Sequence, residues 1–206
     1  MSQRRISPYW QLPGILVASL ILVLSLGSCS DSSTPTDPND TSTKATLAIN
    51  MVDDPTEEIC ELWVYIRDIR VKPDGQPPML LGTDIGDYEL LELQDGPAAP
   101  LGKWVVDGGT YQFIEILLDE SLSSVIEVNP DYVDDPTLLP CLETPTALQI
   151  PSAKFKVNGG PFTVNSDTTV TIDFDAKNSL KRKGGSQNPK GWQLKPKVSI
   201  VGVDAG

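Results

Sequence analysis

The sequence predicts a mainly β protein, folded as an antiparallel β-sandwich. Apolar and polar residues alternate with a period of two through most of the chain from residue 45 onward, as in half-buried strands. The turns between these runs contain Gly, Pro, Asn and Asp, and the chain has 16 Gly and 18 Pro. No amphipathic helix longer than two turns is evident. A two-layer sheet structure is therefore expected.

The amino-terminal segment, residues 1–28, differs from this pattern. It has Arg4 and Arg5, an apolar run over residues 15–26, and the small residues Gly27 and Ser28. This three-part order is typical of a secretory signal peptide. A permanent transmembrane helix is the alternative, but the apolar run would span about 18 Å, against roughly 30 Å for the hydrocarbon core.

Cys29 ends the tetrad Leu26-Gly27-Ser28-Cys29, which resembles the lipobox of bacterial lipoproteins. The resemblance implies that the Cys29 thiol is diacylated and that the signal peptide is cut just before it. Two or more acyl chains hold a protein durably at a bilayer, whereas one does not. We therefore expect an exported protein that is anchored by lipid to the cell envelope, in the outer membrane.

The segment that follows, residues 29–44, contains no large apolar side chain and is predicted to be a flexible tether. Residues 45–206 would then form the sandwich domain. The whole chain has a net charge of −12, and cleavage of a leader that contains two Arg would make it more acidic. Such a chain repels phosphate backbones, so nucleic acid is excluded as a partner.

In the first half of the domain the strongest strand covers residues 110–118 and follows a tight turn at 107–109. Apolar residues occupy both of its faces, so we expect it to lie centrally with both sides buried. An earlier run changes parity at Arg67-Asp68, which predicts a bulge or bend, and a turn follows at residues 73–75. The predicted strands of this half are residues 46–51, 61–71, 79–81, 88–93 and 110–118.

In the second half, residues 120–145 are acidic and interrupted by proline, which predicts a long loop with a short strand at 125–128. Residues 181–185 are basic and are predicted to form a loop before the last strand. The later predicted strands are residues 147–150, 153–157, 162–164, 168–175 and 192–203.

Cys60 and Cys141 remain once Cys29 is assigned to lipidation. An exported protein folds in an oxidising compartment, so these two residues are predicted to form a disulfide. The closed loop of about 80 residues would stabilise the fold by roughly 4 kcal/mol. Two separate buried thiols are the alternative.

Acidic residues in the predicted loop, Asp131, Asp134 and Asp135, could supply oxygen ligands for Ca²⁺. Their spacing is not that of an EF-hand, and Asp residues in turns often bond their own backbone instead. With no His and no spare thiol, the usual zinc, copper and haem sites lack ligands. Three further acidic groups could supply oxygen ligands for Ca²⁺: Asp53-Asp54, Asp119-Glu120, and Asp173 with Asp175.

Two further patterns suggest binding. The aromatic residues Trp63, Tyr65, Trp104 and Trp192 could form a platform for sugars or peptide, or could be packed in the core. The basic run Lys181-Arg182-Lys183 is either a solvated loop or a docking site for an acidic partner.

Six segments form a familiar pattern in their order along the chain: residues 62–71, 109–114, 150–152, 162–164, 171–176 and 194–198. Together they resemble the family known as domain of unknown function 4382, which occurs in exported bacterial and archaeal proteins. The resemblance covers roughly residues 45–203, and its motifs are structural rather than chemical. It implies a transthyretin-like or immunoglobulin-like sandwich and transfers no catalytic residue.

No nucleophile and base are arranged as in an enzyme, so we expect a noncatalytic domain for binding or assembly at the envelope. An envelope protein or a polysaccharide is the expected partner. A hydrolase that uses carboxylates alone or with calcium is one alternative, although the separation of a carboxylate pair cannot be derived from sequence. A subunit of a surface polymer that assembles by strand addition is the other.

Overall fold

The computed structural model describes residues 43–53, 59–94, 97–133, 137, 139–185 and 188–206. These residues form two open sheets, which confirms the mainly β, sandwich-like fold. The strands are β1 (Lys44–Asp53), β2 (Ile59–Pro73), β3 (Met79–Glu89), β4 (Ala99–Asp107), β5 (Gly109–Glu127), β6 (Thr146–Gln149), β7 (Lys154–Lys156), β8 (Phe162–Val164), β9 (Thr168–Phe174), β10 (Leu180–Gly185), β11 (Asn188–Leu194) and β12 (Val198–Ala205).

Helical structure among the described residues is short. Two 3₁₀ turns cover Leu90–Leu93 and Pro130–Val133, and α1 covers Ala176–Ser179. None of these helices is long and apolar enough to cross a bilayer.

The small sheet has the strand order β12-β9-β1-β4. β1 lies inside it, antiparallel to β4 and parallel to β9. The large sheet has the order β10-β11-β6-β5-β2-β3, and its β11–β6 ladder is also parallel. The pairing is therefore mixed, not antiparallel throughout as expected.

β5 is the organising strand of the large sheet. One edge pairs along its length with β2, while the other pairs in turn with β8, β7 and β6. Its inward residues Ile114, Ile116 and Leu118 are buried, whereas Phe113 and Leu117 on the opposite side are only half-buried. The central position is confirmed, but the expectation that both faces are buried holds only in part, because Glu115 on the outer side is buried whereas Phe113 and Leu117 are half-buried.

The core lies between the two sheets as one continuous apolar cluster. It combines the inward residues of β1, such as Leu47, Ile49 and Met51, with those of the large sheet. In β2 the buried positions change from even to odd numbers, and the register shifts between Ile66 and Asp68. This confirms the predicted bulge at Arg67.

Trp104 of β4 packs where the edge strands β3 and β4 meet. A Cβ atom on Gly102 would lie 2.5 Å from the Trp104 ring, so only glycine lets the backbone approach the indole this closely. Beside it, the Tyr88 hydroxyl donates to the Pro100 carbonyl at 3.3 Å, and burial raises the pKa of Tyr88. Aromatic side chains thus cover this side of the core.

Five parts of the fold differ from the predictions, which were drawn from local sequence patterns. Residues 90–93 form a 3₁₀ turn because the Glu89 carboxylate accepts from the N–H groups of Leu91 and Glu92. β4 was not predicted at all. Residues 120–124 continue β5 instead of forming a loop, and the short strand predicted at 125–128 is the end of β5, which runs to Glu127. The basic segment 181–185 belongs to β10, and the expected last strand is divided into β11 and β12.

Candidate functional site: the outer face of the large sheet

The outer face of β2 presents its aromatic side chains away from the core. Trp63 is 37% exposed and Tyr65 is half-buried, whereas the residues that precede them, Leu62 and Val64, are buried. The prediction that these two aromatic residues lie opposite the Leu62 face is confirmed. Trp192 is only 3% exposed and packs in the core, so the four aromatic residues considered above do not form one platform.

Further along the same face, basic residues flank β5 on both sides. We call this surface the β5 strip. Direct pairing places Arg70 of β2 opposite Glu115 of β5, and Glu115 opposite Lys156 of β7. Because directly paired residues point to the same face, the side chains of these three strands form continuous rows. The β5 strip consists of Arg70, Lys72, Phe113, Leu117, Lys154 and Lys156, with Glu115 between them.

The two carboxylates within these rows already have partners. Glu115 is buried, and the Lys154 ammonium lies 3.0 Å from its Oε1. The two groups form an ion pair, but among the described residues Oε1 accepts no hydrogen bond of acceptable geometry. Asp68 has Arg70 at 3.5 Å and accepts from the Thr83 hydroxyl at 2.9 Å. The acids in the strip are therefore neutralised by their neighbours.

Lys156 differs from the other cations. Its ammonium lies 4.0 Å from the centroid of the Phe113 ring, a cation–π contact. Among the described residues, no carboxylate lies within ion-pair distance of it. Lys156 is exposed, and its charge is available to an anionic ligand.

A second surface, the serine groove, lies where β5 leaves its ladder with β2. Trp63 pairs with Ser124 and Tyr65 with Asp119, so Val64 alone faces residues 120–123. The open groove of about 590 Å³ has a size in the range of small-ligand sites. Its lining combines the polar residues Glu120, Ser121, Ser123 and Ser124 with residues 145–149, which include Pro145, Ala147 and Leu148.

Hydrogen bonds hold this wide bulge in place. The Ser123 hydroxyl accepts from the Tyr65 N–H at 3.1 Å and donates to the Asp119 carbonyl at 2.7 Å. The Glu120 carboxylate accepts from the Ile150 N–H at 2.9 Å, which connects the bulge to the end of β6. Bulges of this kind often re-aim side chains beside functional sites.

Asp119 precedes the groove residues Glu120 and Ser121, and its environment favours the ionised form. The side-chain hydroxyl and backbone N–H of Ser121 both donate to Asp119 Oδ1, and with the nearby Arg67 charge they lower the pKa of this carboxyl. A general acid in hydrolysis needs the opposite shift. Asp119 is therefore suited to accepting hydrogen bonds and unsuited to donating a proton.

The other acidic groups considered as cation ligands have structural roles where they are described. Asp53 is buried and accepts from the Ala176 N–H at 2.9 Å, and Asp175 caps α1 by accepting from the Asn178 N–H at 3.0 Å. Asp131 is exposed at the second 3₁₀ turn, while Asp134 and Asp135 lie outside the described residues. Among the residues that the structure describes, no three potential ligands converge as in a metal site.

Cys60 and Cys141 form the predicted disulfide, with their Cα atoms 6.0 Å apart. Hydrogen bonds flank the bridge, since the Asn129 N–H donates to Pro140 and the Leu142 N–H donates to Glu127. The disulfide and these bonds together hold the segment after β5 against the start of β2.

The basic run at 181–183 is placed at the edge of the large sheet. Arg182 forms an ion pair with Glu127 at 2.8 Å, and Lys183 donates to the Gln149 side chain. Lys181 is exposed, and its side chain forms no ion pair or hydrogen bond with the other described residues. Basic residues on an edge strand also oppose pairing with another chain.

The predictions about residues 1–28, Cys29 and the tether concern residues outside the described part of the chain, apart from Thr43 and Lys44. Lys44 is the first residue of β1, so the strand begins one residue before the predicted start of the domain at residue 45.

Comparison with known proteins identifies the family. The family model described as "Domain of unknown function (DUF4382)" matches residues 44–196. The chain belongs to the DUF4382 family. No curated protein matches it, and no solved structure matches it. The matched DUF4382 range contains both the β5 strip and the serine groove.

The β5 strip was not predicted from sequence, although a signal for it exists. In the DUF4382 domain Arg70 and Lys72 are two residues apart on one strand, as are Lys154 and Lys156 on another. This period-two spacing places each pair on one face. The sequence does not indicate that β5 lies between the two pairs.

Proposed function

We propose that this protein is an outer-membrane lipoprotein, anchored through Cys29, whose DUF4382 domain is a noncatalytic binding module for a component of the cell envelope. The observation that carries the proposal is the composition of the outer face of the large sheet. There the exposed Trp63 and the half-buried Tyr65 adjoin the basic residues of the β5 strip. Aromatic and basic side chains on a rigid sheet are typical of binding surfaces.

The chemistry of the acids supports a noncatalytic role. Asp119, the carboxylate beside the serine groove, has a lowered pKa, and Glu120 is engaged by the Ile150 N–H. Neither arrangement supplies a proton donor opposite a free base. The supporting evidence for anchoring is the lipobox-like tetrad before residue 30.

The test measures binding and turnover together. Purified mature protein in detergent is mixed with polysaccharide and protein fractions of the envelope, and both retention and newly released end groups are measured. We expect saturable retention without product. Trp63→Ala should weaken retention, whereas Tyr132→Ala should not, because Tyr132 is equally exposed but lies on a 3₁₀ turn outside this face.

Steady release of product that scales with protein concentration would instead establish a hydrolase. Absence of retention by every fraction would refute the binding role.

A further inference from the structure

We propose that the β5 strip is the binding site of a linear acidic polysaccharide, one that carries carboxylates along its chain. This inference rests on the proposed binding function and specifies the class of ligand. It derives from the order of side chains across three strands.

The first step concerns charge. Arg70 and Lys72 on β2, and Lys154 and Lys156 on β7, place cations on both sides of β5. Neighbouring strands are about 4.8 Å apart, so the two basic lines are separated by roughly 10 Å. A chain lying along β5 would therefore have cations on both sides. Lys156 has no carboxylate partner among the described residues, whereas Lys154 and Arg70 share their charge with Glu115 and Asp68, and Lys72 donates to the Pro73 and Gln76 carbonyls.

The second step concerns the middle of the strip. Phe113 and Leu117 are half-buried and form an apolar floor between the basic lines, and Lys156 extends over the Phe113 ring. Because the Lys156 ammonium already lies over the Phe113 ring, a sugar ring would pack its C–H face on Leu117 and on the methylene groups of Lys156, with its carboxylates and hydroxyls pointing sideways. An acidic sugar thus has an apolar face for the floor of the strip and carboxylates for the two basic lines beside it.

The third step distinguishes a thin chain from a membrane surface. The whole protein has a net charge of −12, and Asp74, Asp87 and Asp119 lie around the ends of the strip. An anionic bilayer would bring its charge within about 8 Å of these acids, a Debye length at physiological salt. A single chain contacts the strip and avoids most of them.

The fourth step distinguishes a saccharide from a peptide. Peptides usually bind sheets by adding a strand at an edge, where backbone groups are free. β5 is paired on both sides over the strip, by β2 and by β7, so this face offers side chains only. Carboxylates and hydroxyls on a sugar can be satisfied by side chains alone.

The experiment uses the full mature protein in detergent and fluorescently labelled oligogalacturonate as the probe, with a neutral glucan of equal length for comparison. Binding is measured by anisotropy at several salt concentrations. We expect oligogalacturonate to bind, the glucan to bind at least about tenfold more weakly, and affinity to fall as salt rises.

Lys156→Glu should weaken oligogalacturonate binding by about tenfold, because it replaces an unpaired cation with a repelling charge. Lys156→Gln should weaken it less. Lys181→Glu is the matched control, since Lys181 is also an exposed lysine on a strand but lies on β10. It should leave the affinity within about twofold, given that exposed charges contribute little at a distance.

Three results would overturn the inference. They are equal affinity for the neutral glucan, a larger effect of Lys181→Glu than of Lys156→Glu, and binding to anionic phospholipid vesicles but not to oligogalacturonate. If Lys156→Glu still binds oligogalacturonate normally and envelope fractions are retained, the ligand assignment fails while the proposed binding function stands. If no envelope fraction is retained by the unmodified protein, both fail.

Discussion

The hydroxyl of Tyr111 donates a 2.6 Å hydrogen bond to the backbone carbonyl of Asp107, four residues earlier in the chain. This bond spans the turn that connects β4 of the small sheet to β5 of the large sheet. The Tyr111 ring is 1% exposed and stacks on Phe162 of β8 with ring centroids 5.6 Å apart. Burial and the Asp107 charge raise the pKa of Tyr111. The arrangement is similar to the tyrosine corner of other sandwiches.

Tyr111→Phe should therefore destabilise the domain by about 1–2 kcal/mol, because it leaves the Asp107 carbonyl without its donor while preserving the ring. Urea unfolding measures the difference. Tyr65→Phe is the control, since no hydrogen bond of the Tyr65 hydroxyl is observed among the described residues. Equal effects of the two variants would show that the corner bond contributes nothing.

Glu89 accepts hydrogen bonds from three backbone groups, the N–H of Leu62 at 2.8 Å, of Leu91 at 3.2 Å and of Glu92 at 2.6 Å. Glu89→Ala leaves these donors unpaired in a buried place and should cost about 3 kcal/mol in the free energy of unfolding. Glu89→Gln keeps an acceptor and should cost less. Glu92→Ala, an exposed position in the same turn, should change stability by under about 0.5 kcal/mol. The prediction is wrong if Glu89→Ala and Glu92→Ala unfold at the same urea concentration.

Asp167 gives a prediction about pH. Its carboxylate accepts from the Thr46 N–H at 3.0 Å, and this bond, with the Thr46 side chain and the nearby Lys103 charge, lowers the pKa of Asp167 below its ordinary value of 3.8. A lowered pKa contributes stability that is present above pH 3.8 and lost as pH falls through the folded-state pKa.

Asp167→Asn removes the titrating group, so part of the acid-induced loss of stability should disappear. Melting curves of both proteins between pH 2 and pH 6 measure this. Asp84→Asn, at an exposed turn position on another strand, serves as the control. Parallel pH profiles for Asp167→Asn and the unmodified protein would contradict the assignment.

The Cys60–Cys141 bridge closes a loop with a sequence separation of 81 residues. Chain entropy predicts a contribution of roughly 4 kcal/mol, and measured values are often lower, so we expect that the double Cys→Ser variant loses about 2–4 kcal/mol. Nonreducing mass mapping of the mature protein should recover the two cysteine peptides joined. Separate peptides from a natively folded sample would refute the bridge.

Cys29→Ser tests the anchor separately from the domain. Without the thiol there is no acceptor for the lipid, so labelling with palmitate analogues should stop and the precursor should accumulate uncut. The melting temperature of the domain should not change, because strand β1 starts only at Lys44. Continued labelling of this variant would show that the lipobox interpretation is wrong.

Local patterns predicted much of the fold and little of the candidate site. Alternation located the strand at residues 61–71 and its bulge at Arg67, because a buried face constrains every second residue. It missed β4, where Pro100 and Gly102 interrupt the pattern and Trp104 packs at a seam between sheets. Residues 120–124 were predicted as part of a loop because the segment 120–145 is acidic and interrupted by proline, but the first of these prolines, Pro130, lies beyond the end of β5.

The β5 strip depends on which strands are neighbours, and that is a property of the whole chain. Lys156 lies 4.0 Å from a ring that precedes it by more than 40 residues, on a strand it reaches only through the β5–β7 pairing. The disulfide was predictable for a different reason, since the number of cysteines and the expected export of the chain left few choices.

The position of β1 inside the small sheet has a consequence for how the domain folds. One edge of β1 can pair with β4, about 50 residues later, but its other edge remains open until β9 at Thr168–Phe174 is present. In a chain that folds from its amino end, the backbone groups along one edge of this apolar strand must therefore stay unpaired until β9 is available. Long-range parallel pairing of this kind is slow, and such an edge is prone to aggregation. We expect a holding chaperone to protect the KATLAINMVD segment until the second half of the chain is available.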